Sequence, residues 1–204
     1  MLSALPKFKL PMQPHFSKGA RDSIAFVFSC PGHKEKIAGH PAAGVTGRNL
    51  EQLLPLLASR LGKMGLTRMD VTIANAWKDI EYKNLTGRSE ATDAEIRLPG
   101  NIKRLTAEIQ HVSKLIVFCG DKAKIASKEL IANQLHPEQP KFAFLGHLGI
   151  VGLNKIFKDV NGNPIIKAKD QKKRGRCEGL RQIQSENTSR RLEVVVAQLV
   201  ASIV

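Results

Sequence analysis

Cysteine is scarce in this chain, and the few cysteines present exclude several kinds of site. Cys30, Cys119 and Cys177 stand far apart and form no paired spacing. A disulfide scaffold needs many cysteines, and zinc or iron–sulfur sites need them in close pairs. We therefore expect that the protein binds no metal or cofactor and that it is located in the reducing cytoplasm.

Long apolar runs are also missing. The first twenty residues, MLSALPKFKLPMQPHFSKGA, contain no unbroken run of signal-peptide length, and no other stretch is long enough to cross a bilayer. No segment combines a basic face with the Trp, Phe and Leu face of an interfacial helix. The sequence thus predicts a soluble cytoplasmic protein that makes no membrane contact.

Acidic residues are too few to balance the basic ones. The chain has 32 Lys and Arg against 18 Asp and Glu, a formal net charge of +14. Such a charge attracts a polyanion, so DNA is the expected partner and the nucleoid the expected location. About half of the charge lies between residues 155 and 191, where eleven Lys or Arg accompany four Asp or Glu. There we expect Lys155, Lys172, Lys173 and Arg174 to contact phosphates, although a solvated linker would have the same composition.

The length of 204 residues suits one domain with a substantial core. Residues 1–22 carry Pro6, Pro11 and Pro14 and a basic bias, which indicates an extended arm that lies over the surface or is partly disordered. Residues 23–204 are expected to form the single domain, and we expect a monomer.

Short apolar runs alternate with helical patterns from residue 23 onward. Four runs are strand candidates: Ser23–Cys30, Asp70–Trp77, Lys114–Cys119 and Lys141–Leu145. Strands that alternate with helices pair in parallel, with helices on both faces of the sheet. The prediction is an α/β fold, a three-layer α/β/α sandwich around a central, mainly parallel four-stranded sheet.

Helix signals separate these strands. Leucines recur at helical spacing between Leu50 and Leu61, and apolar residues do so between Leu192 and Ile203. Thr92-x-x-Glu95 has the spacing of a capping box, and Pro99 interrupts or restarts the helix that follows it. The polar stretch from residue 78 to residue 91 is predicted to be a loop.

Candidate site residues fall at the carboxyl ends of three predicted strands, where ligands bind in such sheets. Ser29 and Cys30 end the first strand, Asn75 lies at the end of the second, and His147 follows the fourth. Three segments that are far apart in sequence are therefore expected to meet at one crevice.

The stretch from residue 28 to residue 50, FSCPGHKEKIAGHPAAGVTGRNL, is predicted to form a long loop between a strand and a helix. Glycine lets a backbone approach a ligand closely, and the following helix offers unpaired N–H groups to an anion. Ordinary turn residues of a surface loop are the alternative explanation. The glycines and prolines are Pro31, Gly32, Gly39, Pro41, Gly44 and Gly47.

The spacing in this stretch, Pro-Gly-x-x-Glu-x-x-x-Gly-x-Pro-x-x-Gly-x-x-Gly-x-x-Leu, resembles the first motif of the uracil-DNA glycosylase superfamily. It is most similar to the branch with a Gly-Glu-Ala-Pro-Gly opening. Residues 71–78 resemble the family's strand that ends in asparagine, residues 114–123 resemble its third strand, and Gly146-His147 resembles its second catalytic motif. The resemblance covers residues 24–154.

This resemblance implies a role for each segment. Such an enzyme flips a nucleotide out of the duplex and breaks its N-glycosidic bond while negative charge develops on the departing base. By the resemblance, the amide of Asn75 reads the edge of the base and His147 donates a hydrogen bond to a base oxygen. Ile150 and Val151 stand where the family inserts an apolar wedge into DNA, although they can instead fill the core under the loop. The other expected contacts are Pro31 and Gly32 with the substrate, and Lys34, Arg48 and Asn154 with DNA.

Several departures from the family change the expected chemistry. Ser29 and Cys30 stand where relatives carry the acidic or amide side chain that activates water. Ala42 replaces the phenylalanine that stacks on uracil, which either costs affinity for a plain base or leaves room for a larger one. His147-Leu148-Gly149 replaces the family's His-Pro-Ser, and the four iron–sulfur cysteines of the similar branch are absent.

Two carboxylates are therefore candidates for the residue that activates the attacking water. Glu35 matches an acidic family position, and Asp79 follows Asn75 closely enough to enter the same crevice. Either can be a solvated charge instead, since an oxocarbenium-like sugar needs little activation of its attacking water and a glycosylase can work without a side-chain base. The expected catalytic residues are His147, Asn75 and Glu35, with Asp79 in contact with the substrate.

Together these features predict a monofunctional DNA glycosylase that removes a modified or bulky pyrimidine and leaves an abasic site, in DNA repair or in defence against phage. Plain uracil is the second candidate substrate. A non-catalytic DNA-binding relative is the alternative outside the enzyme class. A small-nucleotide enzyme is disfavoured because no Gly-Lys-Ser/Thr element follows the glycine-rich stretch.

Overall fold

The sheet is the centre of the computed structural model, which describes residues 13–62, 65–137 and 139–203. Its strand order is β1-β3-β2-β4-β5. Strands β3, β2, β4 and β5 pair in parallel, and β1 pairs with β3 in the antiparallel sense. The strands are β1 (Phe16–Ser17), β2 (Ile24–Phe28), β3 (Thr72–Asn75), β4 (Leu115–Cys119) and β5 (Lys141–Leu145).

The sheet has five strands, so the prediction of four strands is wrong by one. The added strand, β1, lies within the predicted arm, where Phe16 and Ser17 pair with Ala74 and Ile73. Two residues are too few to produce a periodic pattern in the sequence, which is why the arm gave no strand signal. Pro6 and Pro11 of the predicted arm lie outside the described residues.

Helices cover both faces of the sheet, which confirms the α/β class and is consistent with a three-layer sandwich. Helices α2 and α9 pack on one face, and α5 and α6 pack on the other. The helices are α1 (His33–Ala38), α2 (Gly44–Arg60), α3 (Lys83–Thr86), α4 (Asp93–Ile96), α5 (Pro99–Ile109), α6 (Asp121–Ala132), α7 (Ile150–Leu153), α8 (Ala168–Lys173) and α9 (Leu180–Ala201).

Strand β2 shows how the two cores are built. Its side chains alternate between the faces, and all five residues are buried. Phe26 joins the core with the leucines of α2, and Val27 joins the core with Leu105 of α5. Burial on both faces explains why the parallel strands appear in the sequence as continuous apolar runs. Each fully buried leucine or phenylalanine contributes about 1.5–3 kcal/mol of transfer free energy.

The segments between strands differ from the predictions in three places. The stretch from residue 28 to residue 50 is not a single loop, because α1 forms within it and α2 already begins at Gly44. The predicted loop from residue 78 to residue 91 contains α3. Helix α9 begins at Leu180 rather than Leu192, because its first half buries few apolar side chains and so gives a weak pattern. Pro99 restarts a helix as predicted, at the first position of α5.

Candidate functional site

The ends of β2 and β3 place Asn75 and His147 on the same face of the sheet. Asn75 is paired in register with Phe28, and paired residues of neighbouring strands point to the same face. Phe28 belongs to the core on the α2 and α9 side. The His147 ring lies edge-on to the Phe28 ring, with their centroids 6.3 Å apart. The imidazole therefore contacts a phenylalanine whose partner on the neighbouring strand is Asn75, at the carboxyl edge of the sheet.

His147 is held as a neutral imidazole with a defined tautomer. Its Nδ1 accepts a hydrogen bond from the backbone N–H of Gly149 at 2.9 Å, so the ring proton is on Nε2. Within the described ranges, Nε2 has no hydrogen-bond partner. Burial lowers the pKa of His147, while the charges of Glu90 and Glu35 act in the opposite direction. The ring thus offers one N–H group at neutral pH.

The loop that carries His147 is fixed against α2. The side-chain amide of Asn49 donates to the carbonyl of Leu148 at 2.6 Å, and Leu148 is fully buried. A Cβ at Gly152 would overlap the carbonyl of His147, so this turn requires glycine. The first turn of α2 lies beside the loop, with Thr46 near Gly149. The N–H groups of a first helical turn have no partner within the helix and favour a nearby anion.

Asn75 is buried, and its amide already has partners within the protein. In the orientation that satisfies both ends of the amide, its oxygen accepts from the Cys30 N–H at 3.3 Å. Its nitrogen donates to the carbonyl of His15 at 3.2 Å. The side chain is 2% exposed. A base edge reaches this amide only when the segment around His15 moves.

Glu35 has a structural position that the sequence did not reveal. One carboxylate oxygen accepts from the backbone N–H of Gly32 at 2.9 Å, and the other accepts from that of Ala43 at 2.8 Å. These bonds tie the start of α1 to the start of α2. Both oxygens are therefore occupied, which disfavours Glu35 as the residue that activates water. Asp79 is exposed and has no hydrogen bond or ion pair within the described ranges.

A carboxylate that the sequence analysis missed lies at the end of β2. Ser29 is buried, and its hydroxyl donates to Glu90 Oε1 at 2.9 Å. The neighbouring Cys30 thiol lies 3.6 Å from the carbonyl of Ser89. These contacts bring residues 89–90 back to the strand end. The capping box at Thr92 marked where this stretch ends, but no sequence signal showed that it returns to Ser29.

Arg88 fixes the stretch that carries Glu90. Its guanidinium donates to Glu81 Oε2 at 2.9 Å and to Glu95 Oε2 at 2.7 Å. Glu81 is buried, and its backbone N–H donates to the carbonyl of Pro31 at 2.9 Å. Hydrogen bonds from Arg88 lower the pKa of Glu81 and, with the N-cap bonds of Thr92, lower that of Glu95 to about 2. Residues 81–95 are thereby joined to the beginning of the glycine-rich stretch.

Ala42 and Cys30 do not have the environments that were expected of substrate contacts. Ala42 is buried in the core on the α2 side, and its carbonyl accepts from Arg68 Nη1 at 2.9 Å. That carbonyl occupies the space a side chain at Gly47 would need. The open space predicted above Ala42 is therefore filled by protein. Burial raises the pKa of the Cys30 thiol to about 11, so this thiol is neutral and a poor nucleophile at pH 7.

Six of the residues expected to contact DNA lie on the surface. Ile150 and Val151 are 59% and 77% exposed, while Leu148 and Leu153 fill the core beneath them. The alternative that Ile150 and Val151 fill the core is thus wrong. The remaining exposed members of this set are Lys34 on α1, Arg48 on α2, and Asn154 and Lys155 after α7.

Two of the basic residues after residue 155 are bonded to other groups of the same segment or of α9. Lys172 Nζ donates to the carbonyls of Arg176 and Cys177 at 3.0 and 3.2 Å. Arg176 forms ion pairs with Glu178 and Glu186. Lys173 and Arg174 are exposed, and neither side chain has an ion pair within the described ranges.

Two cavities lie along α5, on the face of the sheet opposite His147. The first, of about 520 Å³, is lined by Trp77, Lys78 and Arg104, among others. The second, of about 640 Å³, includes Ile102 and Leu135 in its lining. Neither is lined by His147 or Asn75.

The described residues lack both a metal-binding cluster and a helix that could span a membrane. No group of three or more His, Cys, Asp or Glu among residues 13–62, 65–137 and 139–203 is arranged to hold a metal ion. None of the described helices has the length and apolarity needed to cross a bilayer. Comparison with models of known protein families and with curated protein sequences gives no match to this chain.

Proposed function

We propose that the chain is a DNA glycosylase that hydrolyses the N-glycosidic bond of a flipped-out pyrimidine. The observation that carries the proposal is the neutral His147 ring, whose Nδ1 is occupied by Gly149 and whose Nε2–H is unpaired within the described residues. A donor fixed in advance stabilises charge that develops on a departing base without reorganisation during the reaction. Loss of one such donor typically lowers a rate about 10²–10³-fold.

The proposed reaction uses the carboxyl edge of the sheet. His147 Nε2 donates to a base oxygen as the bond between the base and the sugar breaks. Asn75, on the same face, contacts the base edge after the segment at His15 moves away and frees the amide nitrogen. An amide presents both a donor and an acceptor, so either a uracil-like or a cytosine-like edge can pair with it.

DNA binding is proposed to use the exposed residues around this edge. Ile150 and Val151 contact a base step, because inserted apolar side chains open the stack. Lys34, Arg48 and Lys155 contact the backbone phosphates. The first turn of α2 adds N–H groups suited to one phosphate.

The substrate is proposed to be a modified pyrimidine, with plain uracil as the second candidate. The absence of an aromatic side chain at Ala42 favours a base that does not depend on stacking there. Because Ala42 is buried, the room for a bulky group must come from the movement that exposes Asn75. Both kinds of base are therefore included in the test.

The test is base release from defined oligonucleotides. The protein is incubated with DNA that contains uracil, a thymine mismatch or a 5-substituted pyrimidine, and strand breaks after alkali treatment report abasic sites. We expect release from at least one substrate. His147→Gln should lower the rate about 10²–10³-fold and leave DNA affinity unchanged. His33→Gln, at an exposed histidine on α1, is the matched control. No abasic site with any substrate would overturn the proposal.

A non-catalytic DNA-binding protein is the second candidate. The buried and occupied amide of Asn75 favours it, since a site without access to the base releases none. This candidate predicts tight, salt-sensitive DNA binding without base release, and equal affinity for wild type and His147→Gln.

A further inference from the structure

The proposed hydrolysis needs a group that accepts a proton from water, and the expected residues do not supply one. Ser29 and Cys30 carry no carboxylate, and the Cys30 thiol is neutral. Both oxygens of Glu35 accept backbone hydrogen bonds. A side chain that acts as general base would therefore come from another segment.

Glu90 is held at the strand end by a single hydrogen bond. Ser29 Oγ donates to its Oε1 at 2.9 Å, and the serine itself is buried at the end of β2. Its other oxygen, Oε2, has no partner among the residues that the structure describes. The side chain is exposed, so water reaches it. One oxygen is thus positioned and the other is available to accept a proton.

The stretch around Glu90 is rigid enough to hold the carboxylate in place. Arg88, two residues earlier, is bonded to Glu81 and Glu95. Ala91, the next residue, is buried in the core. Thr92 then caps α4. Because Arg88 precedes Glu90 and Ala91 and Thr92 follow it, the backbone at Glu90 can adopt few positions.

Glu90 and His147 both lie near the carboxyl end of β2. Ser29, which bonds Glu90, directly follows Phe28, whose ring contacts the His147 ring. The negative charge of Glu90 also opposes the effect of burial on the pKa of His147. A carboxylate and an imidazole on two sides of one substrate position are the arrangement expected for proton removal and oxyanion stabilisation.

We propose that Glu90 is the general base of the reaction, held by Ser29 as a positioning residue, an inference that rests on the glycosylase function proposed above. A water oxygen attacks C1′ of the sugar, and one water proton passes to Glu90 Oε2. The bond between C1′ and the base nitrogen breaks, and its electron pair leaves with the base, whose oxygen accepts a hydrogen bond from His147. The proton on Glu90 then passes to solvent, and the base anion gains a proton from solvent.

The simpler role for Glu90 is that of a surface carboxylate that only anchors the loop to Ser29. Glu90→Gln separates the two roles. The glutamine keeps the size and the acceptor oxygen that Ser29 needs, but it cannot take a proton from water. A structural role predicts little change in rate, whereas a general base predicts a loss of about 10²–10⁴-fold.

The experiment measures single-turnover base release with the full chain and the substrate that wild type cleaves. Glu90→Gln should lower the rate about 10²–10⁴-fold, with DNA affinity and urea midpoint unchanged. Added formate should restore part of the rate of Glu90→Ala, because a small carboxylate can take the vacated position. Ser29→Ala, which keeps the carboxylate, should lower the rate less. Glu193→Gln, at an exposed carboxylate on α9, is the matched control.

The outcomes separate this inference from the proposed function. An active wild type with a Glu90→Gln rate within about threefold of it overturns the role of Glu90 and leaves the glycosylase proposal standing. Equal decreases in rate and affinity, or no rescue by formate, also overturn it. A wild type that releases no base from any substrate overturns the proposed function itself.

Discussion

His147 combines a buried ring with a backbone N–H on one of its nitrogens, and both features disfavour a second ring proton. Burial lowers its pKa below the ordinary 6.5. The folded protein therefore binds this proton less readily than the unfolded chain does. The stability that His147 contributes is complete above pH 6.5 and is lost as the pH falls from there toward the lowered pKa.

We expect wild type to lose stability over this range and His147→Gln to lose less. Urea midpoints of both proteins at about pH 7.5 and about pH 5.5 measure the difference. The pKa of His111 is also lowered by burial, but this residue is present in both proteins and its contribution cancels. Identical changes in midpoint would contradict the prediction.

Single residues also show how much of the site the sequence could reveal. The placement of Asn75 and His147 at one edge of the sheet follows from a general rule, because carboxyl ends of parallel strands share one edge. The roles of Glu35 and Glu90 do not follow from it. Glu35 matches the motif, yet its oxygens are used by backbone N–H groups, and Glu90 reaches Ser29 across a separation of 61 residues. No local pattern encodes such a long-range hydrogen bond.

Helix α7 is a short element whose first two residues are exposed and apolar. Ile150 and Val151 add little to stability, because exposed positions usually change it by less than about 0.5 kcal/mol. The double variant Ile150→Ser with Val151→Ser should therefore keep its urea midpoint. We expect it to release the base more slowly from duplex DNA, where a base step must be opened, and normally from single-stranded DNA.

The control for α7 is Ile131→Ser on α6. Ile131 is 45% exposed and lies on the opposite layer of the sandwich. This variant should release the base at the wild-type rate from both DNA forms. An equal slowing of the α7 variant on duplex and single-stranded DNA would exclude a role in opening the duplex.

Elements with a strong apolar period were the predictable part of the fold. Strands β2 and β4 are buried on both faces, and α2 buries a leucine stripe, so composition and spacing indicate them. Elements held by polar contacts were not predictable. Glu35 caps the start of helix α1, and the helix buries no residue. Its sequence therefore shows no apolar period and resembles a loop.

If the chain binds DNA as proposed, the charge of the whole molecule should make that affinity depend on salt. A formal charge of +14 predicts that affinity falls steeply as salt rises, since bound phosphates release counterions. Lys173 and Arg174 are exposed and without ion pairs in the described structure, whereas the Lys172 ammonium is bonded to two carbonyls. These neighbours therefore provide a matched comparison.

We expect Lys173→Ala with Arg174→Ala to reduce the slope of log affinity against log salt by about 0.9 for each phosphate that the variant no longer neutralises. Lys172→Ala should change the slope less. Titrations of a labelled duplex at several salt concentrations measure both slopes. A larger effect of Lys172→Ala would assign the phosphate binding to other residues of the run.

Strand β1 is only two residues long, yet it occupies the outer side of β3. Cleavage of the chain just after Ser17 would leave the main-chain groups of Ile73 and Ala74 without their partners at an apolar border. Such a border is a template for a strand from another molecule. We therefore expect a proteolytic nick there to expose an unpaired edge of β3, to which a strand from a second copy of the chain can bind.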